Sequence, residues 1–152
     1  MQLRGLGASG LRVSPLGLGT ISWGRDVEWP VTRDLLHEFV SAGGNLVDTS
    51  PAYGAGVAEQ MIGKALAAGL PRESLAIATK AGFVVRDGRR EIDTSRGALL
   101  DDLEGSLRRL RTDHVDLWQV HAWGSAPIEE TLSAMDTAVA RGMARYVGVS
   151  NF

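Results

Sequence analysis

The sequence predicts an α/β fold with parallel strands. Strand-like apolar runs alternate with stretches of helical periodicity, the strand-like runs are almost continuously apolar, and turn residues fall between the two kinds of segment. Strand, helix, strand repeated in this way implies parallel strands joined by right-handed crossovers. Nearly continuous apolar strands imply burial on both faces. Either a doubly wound sheet or a (β/α) barrel satisfies both conditions.

The elements follow in order. Gln2-Leu3-Arg4 and Leu11-Arg12-Val13 flank the Gly-rich segment Gly7-Ala8-Ser9-Gly10, which reads as a β-hairpin over residues 1–14. Four βα units fill 15–143, and a further strand occupies 144–150. The strand-like runs are Leu16-Gly17-Leu18-Gly19, Asn45-Leu46-Val47-Asp48, Leu75-Ala76-Ile77-Ala78-Thr79, then Val115 to His121 and Ala144 to Ser150. Apolar stripes at three- and four-residue steps mark the helices: Leu35, Leu36, Phe39 and Val40; Ala58, Met61, Ile62, Ala65 and Leu66; Leu99, Leu100, Leu103, Leu107 and Leu110; Ile128, Leu132, Met135 and Val139. Thr32 and Asp34 are expected to begin the first helix and Gly43-Gly44 to end it. Thr94 or Ser95 is expected to cap the third helix, Pro127 to lie in the first turn of the fourth, and Gly142 just past its end. No linker or low-complexity tract divides the chain, so 1–152 reads as one domain.

Composition narrows the function. The 152 residues are 44% hydrophobic, enough for a sizeable core. The net charge of −2 offers no basic field for nucleic acid or an anionic membrane. With no cysteine there is no disulfide framework, thiol nucleophile or Cys-ligated zinc. No apolar run approaches the roughly 18 residues a membrane span needs. Met1 to Ser14 has no apolar signal-peptide core, so a cytoplasmic location is the expectation.

Candidate chemistry gathers after the strands. Thr20, Ser22 and Trp23 follow the first, and the second ends at Asp48, with Tyr53 five residues on. The third leads into Thr79-Lys80, the fourth ends at His121 with Trp123 beyond it, and the fifth ends at Ser150-Asn151. The carboxyl ends of parallel strands form the rim where α/β proteins place ligands. Lys80 stands out because the chain has fourteen Arg and only two Lys. A compact ammonium beside Tyr53 would favour the phenolate, lowering a phenol pKa ordinarily about 10, so that Tyr53 could donate a proton near neutral pH. Asp48 could hold the ammonium, and His121 could orient a carbonyl.

Each residue alone has a plainer reading. Asp48 is a turn former, Tyr53 and His121 are packing residues, and Lys80 is a solvated strand end. Their joint placement on one rim favours chemistry. His37 in a helix and His114 before a strand keep the plain reading. Leu16-Gly17-Leu18-Gly19 is not a dinucleotide fingerprint, because Ser22 stands where the third glycine belongs and no helix starts there. Arg108, Arg109 and Arg111 suit a helix C-terminus. Trp23 and Trp123 are packing residues first, but their position after strand ends also lets them line an apolar substrate pocket.

At this level the chain resembles the N-terminal half of the aldo-keto reductases. The resemblance rests on Leu16 to Thr20, Leu46-Val47-Asp48-Thr49-Ser50-Pro51-Ala52-Tyr53-Gly54, Ile62 to Leu66, Ala78-Thr79-Lys80, Val115 to His121 and Gly148 to Phe152. It implies the N-terminal part of a (β/α)₈ TIM barrel, its bottom plugged by the hairpin. It further implies NADPH-dependent reduction of aldehydes or ketones to alcohols. Tyr53 is then the implied general acid, Lys80 and Asp48 the pair that tunes it, and His121 the substrate-orienting residue. Gly19, Thr20 and Asp48 match positions near the nicotinamide ribose, and Ser150 and Asn151 match the carboxamide-binding pair. The family's remaining nicotinamide- and phosphate-binding residues lie on strands six to eight. Such a barrel takes about 250 residues, so these residues correspond to part of one. They form a piece of a longer product, a half-barrel completed by another chain or copy through open edges, or an inactive form. A noncatalytic binding module related to these reductases is the alternative function.

Overall fold

A computed structural model describes residues 1–151; Phe152, the last residue of the expected Gly148–Phe152 motif, lies outside the described residues. The chain runs β1 (Arg4–Gly5), β2 (Arg12–Val13), β3 (Gly17–Gly19), α1 (Trp29–Ser41), β4 (Leu46–Asp48), α2 (Val57–Ala67), β5 (Ala76–Ala81), β6 (Phe83–Arg86), β7 (Arg89–Ile92), α3 (Arg96–Leu110), β8 (Val115–Val120), α4 (Ile128–Ala140) and β9 (Ala144–Val149). β3, β4, β5, β8 and β9 form one sheet in that spatial order, and every adjacent pair is parallel. An N-terminal hairpin, a parallel sheet that never reverses its order, and four helices make this part of a (β/α)₈ barrel; a doubly wound sheet would reverse its strand order.

Strand alternation separates two apolar layers. Val47, Ile77, Ala81, Trp118 and Val120 pack with Leu36, Ile62, Leu99, Leu103 and Ala134 from the helices. The opposite face of the sheet carries a smaller cluster, where Leu11, Val13 and Ala76 meet Leu46, Leu117 and Tyr146. The hairpin β1–β2 therefore covers the amino-terminal end of the sheet interior, and Ser14 is bonded there to Asn45 in both directions. With that end filled, the open end is the carboxyl rim.

Two helix starts differ from expectation, while α3 begins at one of its two expected caps. α1 begins at Trp29, because Pro30 presets the backbone of its first turn, and Thr32 donates back to the Trp29 carbonyl at 2.9 Å. Ser95 is the N-cap of α3 by backbone geometry, but its side chain makes no cap bond; instead its amide donates to Asp93 Oδ1 at 3.0 Å. Pro127 is the N-cap of α4, one step outside the helix. A third difference is an added element. β6 and β7 form an antiparallel hairpin that pairs with no other strand among the described residues. Its turn is Asp87-Gly88, both at positive φ, and that dipeptide is the sequence signal for such a hairpin.

One buried ion pair ties the helical layer to the sheet. Glu59 of α2 is fully buried and accepts from Thr79 Oγ1 and from Arg109 Nε, each at 2.6 Å. A buried carboxylate stripped of its cation is strongly destabilising, whereas replacing both partners with apolar residues is often neutral. Arg109→Leu is accordingly expected to lower the unfolding free energy by about 3 kcal/mol. The Glu59→Leu/Arg109→Leu double variant should recover most of that loss, both read from urea titrations.

Candidate active site

The rim assembles the four expected residues in one place. Asp48 ends β4 opposite Ala78 of β5. Lys80 lies two residues beyond Ala78, on the same face of its strand. Its Nζ donates to Asp48 Oδ1 at 2.7 Å, Asp48 Oδ2 at 2.8 Å and the Thr49 carbonyl at 3.1 Å, and it reaches the Tyr53 hydroxyl at 3.4 Å. The Lys80 side chain is only 7% exposed, so the ammonium is a desolvated charge neutralised by one carboxylate.

Backbone geometry aims Tyr53 at that ammonium. After β4 the chain is fastened on both sides: Thr20 N and Oγ1 each donate to the Asp48 carbonyl at 3.0 Å, and Thr49 N donates to Ala78 O at 2.9 Å. Tyr53 then opens a tight turn in which Gly54, Ala55 and Gly56 all have positive φ before α2 begins. Gly54 has two reasons to be glycine, since at its φ of 56° a Cβ would also stand 2.8 Å from the Trp23 carbonyl oxygen.

His121 follows β8 and is held from several sides. Its amide donates to Ala81 O at 2.9 Å, and its carbonyl accepts from Asn151 Nδ2 at 2.8 Å. Nδ1 lies 3.2 Å from Ser50 Oγ, which itself accepts from the Ala52 amide at 3.1 Å. Tyr53 and Phe83 both meet the imidazole edge to face, with ring centroids at 6.0 and 4.6 Å. Burial, then the positive charges of Lys80 and Arg90, push the imidazole pKa down to about 4 against the opposing pull of Asp48. The ring is therefore neutral at neutral pH. A cavity of about 250 Å³ lies against this group, lined by Ile21, Arg25, Ala52, Tyr53, Gly54, Arg90 and His121.

The other expected residues divide. Gly19 is exposed at the end of β3, next to Asp48. Thr20 is buried, its hydroxyl committed to the Asp48 carbonyl. Ser150 and Asn151 follow β9 on the same rim; Ser150 N donates to Val120 O at 2.8 Å, and Asn151 Nδ2 donates to Ser150 Oγ at 3.0 Å. Trp23 is 2% exposed and packed in the main core, so the packing reading accounts for it. Trp123 is exposed and lines a separate small recess with Thr94, Gly124 and Thr131. Phe83, Arg90 and Ser50 went unrecognised as rim residues. Their signals were the Asp87-Gly88 turn for the first two, and for Ser50 a hydroxyl three residues before Tyr53.

In the unfolded chain an imidazole titrates near 6.5, and in the folded chain near 4, so between those values the unfolded state binds more protons. The stability contributed by neutral His121 is complete above pH 6.5 and drains away as pH falls toward 4. The wild type should therefore lose more stability than His121→Gln across that window, measured by denaturant midpoints, and the imidazole carbon shifts should titrate near the lower value.

Comparison with known proteins bears on the family and the fold. The sequence pattern of the Aldo/keto reductase family matches residues 15–152. The chain is 34% identical over 159 residues to "Aldo-keto reductase YhdN" of Bacillus subtilis, covering 100% of this chain and 47% of that protein. It is 38% identical over 162 residues to "Uncharacterized oxidoreductase YrpG" of the same organism, covering 100% and 50%. Among solved structures, the aldo-keto reductase AKR11C1 from Bacillus halodurans in its holo form superposes with a TM-score of 0.90 at 35% identity, covering 100% of this chain and 51% of that one. The chain thus spans about half the length of the curated relatives it matches. With the family pattern covering all but the N-terminal hairpin, the chain belongs to the Aldo/keto reductase family.

Proposed function

We propose that this chain carries the reducing site of an NADPH-dependent carbonyl reductase acting on aldehydes or ketones. The reading rests above all on the buried Lys80 ammonium shared between the Asp48 carboxylate and the Tyr53 hydroxyl. A nicotinamide cofactor would supply the hydride that adds to the carbonyl carbon. Tyr53 donates its phenolic proton to the carbonyl oxygen, giving the alcohol and a phenolate that solvent reprotonates. Lys80, itself nearly buried, stabilises the negative charge that develops on the phenol oxygen as the proton leaves. Asp48 keeps the ammonium aimed there. Neutral His121 positions the carbonyl by donating from Nε2 to the substrate oxygen, the tautomer in which Nδ1, 3.2 Å from Ser50 Oγ, accepts from that hydroxyl.

The residues present suit the nicotinamide end of such a cofactor. A Cβ built on Gly19 meets no atom within 4 Å, so the backbone beside Asp48 faces open space that a ribose can occupy. Ser150 offers a hydroxyl proton and Asn151 a carbonyl oxygen, the donor and acceptor that a carboxamide requires. Asn151 is steadied for this by its bond to the His121 carbonyl. Thr20 contributes by fixing the Asp48 backbone.

Removing a general acid typically costs about 10²–10⁴-fold in rate. Tyr53→Phe should lower NADPH oxidation with an aromatic aldehyde by that order while leaving the fold intact by circular dichroism. Equal rates for the two proteins would take Tyr53 out of the mechanism.

A second reading, self-association through the sheet, has its own observation. Among the described residues β9 and β3 are the outer strands of the sheet, with Val147 and Val149 of β9 37% and 50% exposed and exposed Leu16 leading into β3. Sedimentation velocity across a concentration series should then show species heavier than the monomer. A compact monomer at every concentration would remove this reading.

A further inference from the structure

The cavity beside Tyr53 and His121 is lined by two guanidinium groups in different situations. Arg25 is already engaged: its Nε and Nη2 donate to Asp26 Oδ2 at 2.7 and 2.5 Å. Arg90 makes no ion pair with any carboxylate among the described residues. It is nonetheless placed. Its guanidinium lies 3.9 Å from the centroid of the Phe83 ring, and Phe83 in turn meets the His121 imidazole edge to face. The hairpin register that pairs Val85 with Arg90 and Phe83 with Ile92 sets this stack at the cavity wall. Stacking on an aromatic face leaves the in-plane N–H fork of an arginine free to take both oxygens of a carboxylate. The nearby ammonium of Lys80 does not compete for an anion, because Asp48 already holds it in two short bonds.

We propose that Arg90 is the anion-binding residue of this cavity, and that the site prefers carbonyl compounds carrying a carboxylate away from the reacting carbonyl. The proposal rests on the reductase reading for the word carbonyl, and on the cavity alone for the word anion. Arg90 is a specificity residue on an exposed hairpin, outside the Asp48–Lys80–Tyr53–His121 group, so its replacement leaves the reacting atoms in place. The favourable field of Arg90 is also felt by His121, where it opposes protonation.

The test is direct binding to the full chain by calorimetry, with 4-carboxybenzaldehyde as the anionic probe and methyl 4-formylbenzoate as its neutral counterpart. The acid should bind about tenfold more tightly than the ester, as one charge-assisted bidentate pair allows. Arg90→Met should reduce that preference to about twofold or less, Arg90→Lys should keep part of it, and Arg25→Met should leave it unchanged. Equal affinity for acid and ester, a preference that survives Arg90→Met, or no measurable binding of either probe would overturn the proposal. A third arm measures NADP⁺: if Arg90→Met weakens NADP⁺ and leaves the acid-to-ester ratio alone, the guanidinium serves a cofactor phosphate and the proposal fails. Turnover of benzaldehyde and its dependence on Tyr53 report on the reductase reading separately. An acid preference without turnover removes the chemistry and keeps the anion site, and turnover without an acid preference does the reverse.

Discussion

A lysine ammonium taken out of water constrains everything around it. Lys80 is nearly inaccessible, and a buried cation of that kind is tolerated only where an anion and further acceptors complete its coordination. Asp48 supplies the anion, the Thr49 carbonyl a second acceptor, and the Tyr53 oxygen a third at longer range. Each acceptor depends on the backbone after β4 being fixed, which explains the density of bonds to the Asp48 carbonyl and the Thr49 amide. An arginine at position 80 could not replace this lysine, because a planar fork cannot converge on three acceptors as a small tetrahedral cation does.

The fold meets that constraint through register. Parallel pairing sets Gly19 opposite Asp48, Asp48 opposite Ala78 and Lys80 opposite Gln119, so the interior-facing side chains of neighbouring strands reach the same rim from staggered heights. The hairpin at the other end of the sheet fills the bottom of the interior with Leu11 and Val13. Behind the sheet, Glu59 connects β5 to α2 and α3 through Thr79 and Arg109. Thr79 adjoins Lys80 in the chain, so the strand that presents the ammonium inward is anchored outward one residue earlier.

Much of this was legible because it lies in periodicity and order. The alternation of element types, the apolar stripes and the residues after each strand identified the sheet, the helices and the rim that gathers Asp48, Tyr53, Lys80 and His121. What escaped was short or local. The Phe83–Ile92 hairpin has few apolar residues, and Arg89 and Arg90 weaken its strand pattern, so only the Asp87-Gly88 turn announced it. The burial of Glu59 leaves no local signal, because its partner Arg109 lies far along the chain. The start of α1 was displaced because Thr32 has the chemistry of a cap but is buried inside the helix, with its hydroxyl turned back to Trp29. Trp23 follows a strand end like a pocket residue, yet the turn holding Gly54 folds over it.

Among the described residues the Phe83–Ile92 hairpin pairs only with itself, while the residues that hold Lys80 belong to the sheet and the loops bonded to it. Its backbone ladder therefore closes without borrowing a single bond from the barrel strands. The coordination of the Lys80 ammonium accordingly takes no bond from this appendage. Its side chains nonetheless reach the rim, where Phe83 meets the His121 ring and Arg90 lines the cavity, so a change in the hairpin is felt at the imidazole rather than at the ammonium.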